Sequence, residues 1–490
     1  MEEVPTHASV TENGAPAVEK TGSATVDLFF RTVRGADPAP LMAAAWDEDA
    51  EDTLRVLLHC RDIRKGKGEC EVSYRAARWL RAHRPRTYLR NLSALVEQCG
   101  SYKDLLHLAE PSAQSPELQL LAERLREDAA RPAGEQVSLA VKWAPREHKR
   151  FDAHARALAA ILFPGEGRKM RRYRAFLAAL APRVGVVETT MSDGRHTEIA
   201  YGQVPAKAHR RYRQAFGRND PDGYAAYLER VKAEAAKPPA ERAEKINVVG
   251  TQPHELVGVY CGTDDADATV EAQWAALVDR VRRAGALGPN VAMVDVSGSM
   301  CGQPLTVAVA LGLVTCAASP APWSGRFLTF ESTPSWVSVD TAAPLVDQVR
   351  AAFAAPWGGS TNVEAGLLLI LQEARAWQVP PERMPRTLFV FSDMQFDTAQ
   401  AGGADATFFH NAQAQFAAAG YELPRVVFWN LRDTRGGSPV EAHDSGACMV
   451  SGYSAELLRT FMDGGDDFTP HAIMRRATAR YAVTVDESER

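Results

Sequence analysis

The chain has 490 residues, 46% of them hydrophobic and 24% charged, which is typical of a globular protein with at least two domains. No apolar run approaches the roughly 20 residues of a membrane-spanning helix, so we expect no membrane partner. The net charge of −5 hides an asymmetry: residues 1–250 carry 40 Lys and Arg against 34 Asp and Glu, and the remaining residues carry 16 against 27. The basic and acidic halves are expected to have different partners.

The cysteines indicate a reducing compartment. The chain has 7 Cys, which are dispersed and form no Cys-x-x-Cys pair, and this disfavours both a disulfide framework and a zinc site. Residues 1–25 are polar and acidic and lack the charged start and apolar core of a signal peptide. We therefore expect a cytoplasmic protein with a flexible arm over residues 1–25.

Residues 26 to about 235 show a helical pattern nearly throughout, and after a charged connector a further helix is expected around residues 274–283, so we assign residues 26–285 to a helical domain. Segments such as 74–83, 88–98 and 154–163 have apolar residues at helical spacing, and Pro or Gly residues separate them. Successive short amphipathic helices predict an all-α, stacked-helix (HEAT-like) domain, although no strict repeat period is visible. The pattern weakens between residues 184 and 205, where we expect a loop or a short hairpin.

Basic residues of this helical domain form four clusters, two of which include Trp143 or Tyr212. Lys and Arg neutralise phosphates and aromatic rings stack on bases, so the clusters suit small structured or single-stranded RNA. The alternative is that these side chains solvate helix surfaces and pair with nearby Asp and Glu. The candidate RNA-binding residues are Arg61, Arg64, Lys65, Lys67, Lys142, Arg146, Lys149, Arg150, Arg168, Lys169, Arg171, Arg172, Lys207, Arg210, Arg211 and Arg213.

Over residues 286–490 the pattern changes to strands that alternate with helices. Such alternation predicts a doubly wound, mostly parallel sheet with helices on both faces. The predicted strands are 291–296, 326–330, 336–339, 387–392, 425–430 and 448–451. The predicted fold class is therefore an all-α domain followed by an α/β domain.

Two of these strands lead into oxygen-bearing side chains. Asp295, Ser297 and Ser299 follow the apolar run 291–294, and Asp393 follows the run 387–392. Thr361 lies between them in the sequence Trp-Gly-Gly-Ser-Thr-Asn. Ligands of open α/β sheets bind at the carboxyl ends of strands, and carboxylate and hydroxyl oxygens suit a hard cation. We expect these residues to bind Mg²⁺, with Mn²⁺ or Ca²⁺ as alternatives.

This Asp-x-Ser-x-Ser, Thr, Asp constellation resembles the metal-ion-dependent adhesion site (MIDAS) of von Willebrand factor A domains, over about residues 290–485. The resemblance implies that Asp295, Ser297 and Ser299 coordinate the metal directly, and that Thr361 and Asp393 do so directly or through water. Through segments such as 61–69, 142–147 and 204–213, the whole chain resembles a little-characterised family that pairs a helical domain with an A domain. That layout is similar to the Ro ribonucleoprotein (TROVE) family, in which a ring of helical repeats binds RNA.

The sequence contains neither a Gly-x-Ser-x-Gly elbow nor a His-Glu-x-x-His motif, so we predict a binding protein and not an enzyme. Two functions remain open. The first is a Ro-like RNA-binding scaffold whose A domain holds a divalent metal. The second is an adaptor that uses the metal to bind an acidic group of a protein partner, without RNA.

Overall fold

The structure is a computed structural model that describes residues 8–10, 16–18, 20–235, 237–238, 241–283, 288–330, 333–355, 362–394, 406–432, 446–461 and 468–490. The described elements follow the predicted order, with helices first and a mostly parallel sheet second. We call residues 24–283 the helical region and residues 288–490 the sheet region. Within the described ranges, no helix combines the length and the apolar character needed to cross a bilayer.

Short helices make up most of the helical region, and several of them begin with a polar cap or a proline. The apolar faces of most of them form one core that continues into the sheet region, and apolar residues between 199 and 246 form a second, smaller cluster. In chain order they are α1 (Ala24–Arg31), α2 (Ala39–Glu48), α3 (Ala50–Arg61), α4 (Cys70–His83), α5 (Pro85–Ala94), α6 (Tyr102–Leu108), α7 (Pro116–Ala130), α8 (Ala140–Trp143), α9 (Asp152–Leu162), α10 (Lys169–Leu180), α11 (Val187–Ser192), α12 (Ala206–Asn219), α13 (Pro221–Glu234), α14 (Pro253–Val257) and α15 (Ala268–Arg283).

Two segments differ from the sequence-based expectation. Residues 187–192, expected in a loop or hairpin, form α11, because Val187 and Met191 pack against an aromatic cluster that includes Tyr201 and Phe216. Within the predicted flexible arm, β1 (Ala8–Val10) and β2 (Pro16–Val18) pair antiparallel. The sequence between them contains Asn-Gly, a dipeptide that favours hairpins. The polar composition of the arm, on which the prediction of flexibility depends, does not reflect this local signal.

The sheet region contains β3 (Asn290–Val294), β4 (Arg326–Thr329), β5 (Trp336–Ser338), β6 (Thr387–Ser392), β7 (Arg425–Asn430) and β8 (Ala447–Ser451). Their order across the sheet is β5-β4-β3-β6-β7-β8, and only the β4–β5 pairing is antiparallel. Every residue of β3 and β6 is buried, as expected for central strands covered on both faces. The predicted fold class is confirmed.

Helices cover both faces of this sheet. They are α16 (Gln303–Ala318), α17 (Leu345–Phe353), α18 (Val363–Ala376), α19 (Ala406–Ala418) and α20 (Pro470–Thr478). A methyl group added to Gly312 of α16 would meet Val294, and one added to Gly366 of α18 would meet Met293. Since neighbouring strand residues point to opposite faces, α16 and α18 lie on opposite sides of β3.

The sheet region packs against both the first and the last helices of the helical region. At the first helices, Arg475 of α20 donates to Asp52 of α3 over 2.8 Å, and the indole N–H of Trp46 donates to the Glu489 carbonyl over 2.8 Å. At the last helices, His254 of α14 hydrogen-bonds Gln303 at the start of α16 over 3.2 Å. The first and the last helices of the helical region thus both contact the sheet region.

Candidate metal centre and basic surface

Asp295 is fixed at the carboxyl end of β3. Its backbone N–H donates to the Phe391 carbonyl over 3.0 Å, which continues the β3–β6 pairing by one residue. Its Oδ1 accepts the Ser297 N–H over 2.8 Å, and the Ser297 and Ser299 hydroxyls lie 3.0 Å apart. The carboxylate is buried whereas Ser299 is exposed, so these oxygens run from the core towards solvent.

Asp393 follows the adjacent strand β6 and is fully buried. Burial raises the pKa of Asp295 to about 6, and the negative charge of Asp393 adds to this rise. Hydrogen bonds from Ser297 and from Ser392, whose Oγ donates to Asp295 Oδ2 over 2.7 Å, oppose it. Two carboxylates thus lie close enough to repel each other in a poorly solvated place, which is an environment that favours a bound cation.

Thr361 lies outside the described residues. The described chain resumes at Asn362, whose side chain caps α18 by accepting the Ala365 N–H over 2.8 Å. Among the described residues, no group of three or more His, Cys, Asp and Glu is arranged to hold a metal ion. The candidate donor set, which consists of Asp295, Ser297, Ser299 and Asp393, differs from such a group because it has two carboxylates and two hydroxyls. Such hard oxygens fit a divalent cation that keeps water in its shell.

Part of the candidate RNA-binding set has its charge engaged inside the protein. Arg61 is buried, and its Nε and Nη2 donate to Asp104 over 3.1 and 2.8 Å. Lys67 is fully buried between the two regions. By contrast, Arg64 and Lys65, which lie between Arg61 and Lys67 in the sequence, are exposed.

A second part of the set forms ion pairs at the surface of α12. Lys207 and Arg210 both contact Glu255 at 2.9 Å, and Arg213 pairs with Asp267. Arg211 is exposed and its guanidinium lies 5.5 Å from the Tyr212 ring centroid. Lys142 of α8 pairs with Glu188 at 3.1 Å.

The remaining candidates lie on α10, at its start, or on the neighbouring segment 145–150. The Tyr173 hydroxyl of α10 donates to the Pro145 carbonyl over 2.9 Å, and Arg174 pairs with Glu147, so α10 lies against the segment 145–150. Arg172 pairs with Glu166 at the edge. We define the basic surface as Arg146, Lys149, Arg150, Arg168, Lys169 and Arg171, all of them exposed except the half-buried Lys169.

Comparison with known proteins places the chain in a family. Residues 11–120 and 117–287 match the family described as "Domain of unknown function (DUF2828)", and residues 289–488 match "Domain of unknown function (DUF7788)". "Uncharacterized protein L728" of Acanthamoeba polyphaga mimivirus is 34% identical over 516 aligned residues, covering 97% of this chain and 88% of L728. The chain belongs to the DUF2828 family.

Among solved structures, this DUF2828 chain is similar to the Ro (RSR) protein of Deinococcus radiodurans. The sequence identity is 15%, the match covers 93% of each chain, and the TM-score is 0.37.

The structure also places near the candidate metal centre of this DUF2828 chain two residues that the motif did not include. Ser392 donates to Asp295, and the Nη1 of Arg432 donates to the Ser299 carbonyl. Both stand at or just after the carboxyl end of a predicted strand, which is the one signal in the sequence that points to them.

Proposed function

We propose that this protein is a non-catalytic binding scaffold that holds a divalent cation, with Mg²⁺ as the first candidate, at the carboxyl edge of its sheet. The observation that supports this most is the pair of buried, mutually repelling carboxylates, Asp295 and Asp393, beside the hydroxyls of Ser297 and Ser299. Thr361 completes the proposed ligand set. A cation here would neutralise the carboxylates and offer its open positions to an oxygen of a partner.

A titration with Mn²⁺, followed by electron paramagnetic resonance, tests this proposal. We expect one bound Mn²⁺ ion, which Mg²⁺ displaces and a chelator removes. Competition by Ca²⁺ for the same site measures how well the larger ion fits it. Asp295→Asn should weaken Mn²⁺ binding more than about tenfold, since it removes a charged ligand. Asp347→Asn, a change at an exposed residue of α17, serves as the matched control. Equal Mn²⁺ affinity of Asp295→Asn and the wild type would refute the proposal.

RNA binding is the second candidate function, and the basic surface on α10 and the segment 145–150 favours it. The carboxylates close to its six cations in the sequence are Glu147, Asp152 and Glu166, and these already pair with Arg174, Arg156 and Arg172. Trp143 lies nearby in sequence and is partly exposed, which would allow a base to stack on it. Positive charge that no neighbouring acid neutralises is what a phosphate backbone requires.

Electrophoretic mobility shifts with a structured RNA and a single-stranded RNA test this second function at about 50 and about 200 mM salt. We expect affinity that falls with salt and that Lys169→Glu/Arg171→Glu reduces. The control, Lys232→Glu/Arg375→Glu, makes the same change at exposed positions outside the basic surface. Salt-independent binding, or equal loss in both double variants, would argue against the basic surface. A cytoplasmic location remains part of the proposal and fits the finding that all the cysteines are free.

A further inference from the structure

The side chain of Arg432 reaches across the carboxyl edge of the sheet. Arg432 follows β7, and its backbone N–H donates to Asn430 Oδ1 over 3.0 Å. Its guanidinium donates to the carbonyl of Ser299, which belongs to the turn after β3. Strand β6 lies between β3 and β7, so the side chain passes over the end of β6, where Asp393 lies. The guanidinium therefore lies beside the turn that carries Ser297 and Ser299, two of the proposed metal ligands.

The guanidinium retains donors for a ligand. Arginine has five N–H groups, and the contact with Ser299 uses the one nitrogen Nη1. Arg432 is exposed, and within the part of the chain that the structure describes it forms no ion pair. An exposed arginine at the same edge of the sheet as the proposed ligands, bound there to a neutral carbonyl, is available to an anion from outside.

The balance of charge sets the kind of anion. Asp295 and Asp393 contribute two negative charges, and a divalent cation cancels them. Arg432 then gives the loaded site one positive charge in excess. A singly charged oxyanion restores neutrality, with one oxygen on the metal and the other accepting a charge-assisted hydrogen bond from the guanidinium.

We propose that Arg432 is the second anchor for an aspartate or glutamate carboxylate of a protein partner; this inference rests on the metal site proposed above. A phosphodiester has the same charge, but it comes with the negative charges of its neighbours along the nucleic acid. The chain after residue 250 carries 27 Asp and Glu against 16 Arg and Lys, so it repels a polyanion. A single carboxylate on a neutral or basic segment avoids that repulsion.

The test uses the full-length protein loaded with Mn²⁺ and two small monoanions as probes, ¹³C-labelled acetate and dimethyl phosphate. Paramagnetic relaxation of the ¹³C or ³¹P nucleus reports binding next to the metal, whereas electron paramagnetic resonance reports Mn²⁺ affinity separately. We compare the wild type with Arg432→Ala and Arg432→Lys. Arg375→Ala is the matched control, because Arg375 is exposed in the last turn of α18, away from the carboxyl edge of the sheet.

We expect Arg432→Ala to weaken acetate binding about tenfold, as for loss of a charge-assisted hydrogen bond. Mn²⁺ affinity should stay unchanged or increase, since the change removes a neighbouring positive charge. Arg432→Lys should bind acetate with intermediate affinity, and Arg375→Ala should match the wild type.

Three results would overturn the inference in distinguishable ways. If acetate binding is the same in Arg432→Ala and the wild type while Mn²⁺ still binds, Arg432 is not an anchor and the metal site stands. If dimethyl phosphate binds more tightly than acetate and depends on Arg432, the ligand is a phosphodiester and not a carboxylate. If the wild type binds no Mn²⁺, the metal site itself fails, and the inference fails with it.

Discussion

The Nζ of Lys67 lies 2.7 Å from the Oγ of Ser451, and both side chains are fully buried. Lys67 belongs to the segment between α3 and α4, and Ser451 ends β8, so the contact joins the helical region to the sheet region. The same Nζ donates to the Thr32 carbonyl and hydroxyl over 3.2 and 2.9 Å and lies 4.6 Å from the Phe29 ring centroid. A lysine predicted to contact RNA is instead surrounded by protein acceptors.

Replacing Lys67 by Met should therefore weaken the junction. The change keeps the length of the side chain but leaves buried acceptors of Thr32 and Ser451 without their donor, which costs about 2–4 kcal/mol of unfolding free energy. Urea unfolding, followed by circular dichroism, measures the loss. Lys65→Met, at an exposed position two residues earlier, is the control and should stay within about 0.5 kcal/mol of the wild type.

The effect of Lys67→Met on the unfolding free energy should also depend on pH. Burial lowers the pKa of Lys67 to about 7, whereas an unfolded lysine titrates near 10.4. Between these values the unfolded chain binds more protons, so the unfolding free energy of the wild type should rise as pH increases from 7. Lys67→Met lacks this contribution, and the difference between the two proteins should grow between about pH 7 and about pH 8.5. A constant difference would show that the buried amine keeps its proton over this range.

Removing Arg61 should destabilise the fold and not act on RNA alone. Arg61 is buried against Asp104, which also accepts the Tyr74 hydroxyl, and Arg61→Met would leave that carboxylate without its cation. We expect a loss of about 3–5 kcal/mol in unfolding free energy, measured by urea titration. Arg64→Ala, at an exposed position of the same cluster, should leave stability unchanged. Wild-type stability of Arg61→Met would mean that Asp104 finds another partner.

Acid should destabilise the helical region through His209. This side chain is fully buried among Tyr201, Phe216 and Tyr224, and its Nε2 hydrogen-bonds the Tyr224 hydroxyl over 3.0 Å. Burial lowers the pKa of His209 to about 4 from its usual value of 6.5. The unfolded chain binds more protons between these values, so the stability due to neutral His209 is lost as pH falls from 6.5 towards 4.

The measurement for His209 is the unfolding free energy at a series of pH values for the wild type, His209→Gln and His148→Gln. The wild type should lose about 3 kcal/mol more than His209→Gln over this range, following the linkage of about 1.4 kcal/mol per pKa unit. His148 is exposed, so His148→Gln should follow the wild type. Parallel curves for the wild type and His209→Gln would contradict the lowered pKa.

The sequence predicted the sheet closely and the charged contacts poorly. Strands β6 and β7 have the predicted bounds because each is an apolar run that ends at polar or turn-forming residues. The four described residues of the proposed metal site likewise follow neighbouring strands of one sheet, because parallel strands bring their carboxyl ends to one edge. The ion-pair partners of the basic residues could not be predicted in this way. Arg61 pairs with Asp104 and Arg213 with Asp267, at separations that no local pattern reveals.

The close contact between Gly312 and Val294 predicts that a larger residue at position 312 destabilises the protein. A Cβ on Gly312 would lie 2.6 Å from Val294 Cγ2, so α16 approaches β3 more closely than an alanine allows. Gly312→Ala should gain up to about 1 kcal/mol in helix propensity but lose about 1–3 kcal/mol by overpacking, and we expect a net loss. Gly217→Ala in α12, where a Cβ meets no atom within 4 Å, isolates the propensity term and should not destabilise.

A double variant separates this contact from a general effect on the helix. Val294→Ala removes the methyl groups that an alanine at 312 would meet, so Gly312→Ala should cost less in the Val294→Ala background than in the wild type. Because Val294 directly precedes Asp295, the strain in Gly312→Ala should also displace this carboxylate of the proposed metal site and weaken Mn²⁺ binding. Compared with Val294→Ala alone, the double variant should lose less stability and less Mn²⁺ affinity than Gly312→Ala loses compared with the wild type. If stability returns but Mn²⁺ affinity does not, the position of Asp295 depends on the Val294 side chain itself and not on the spacing between α16 and β3.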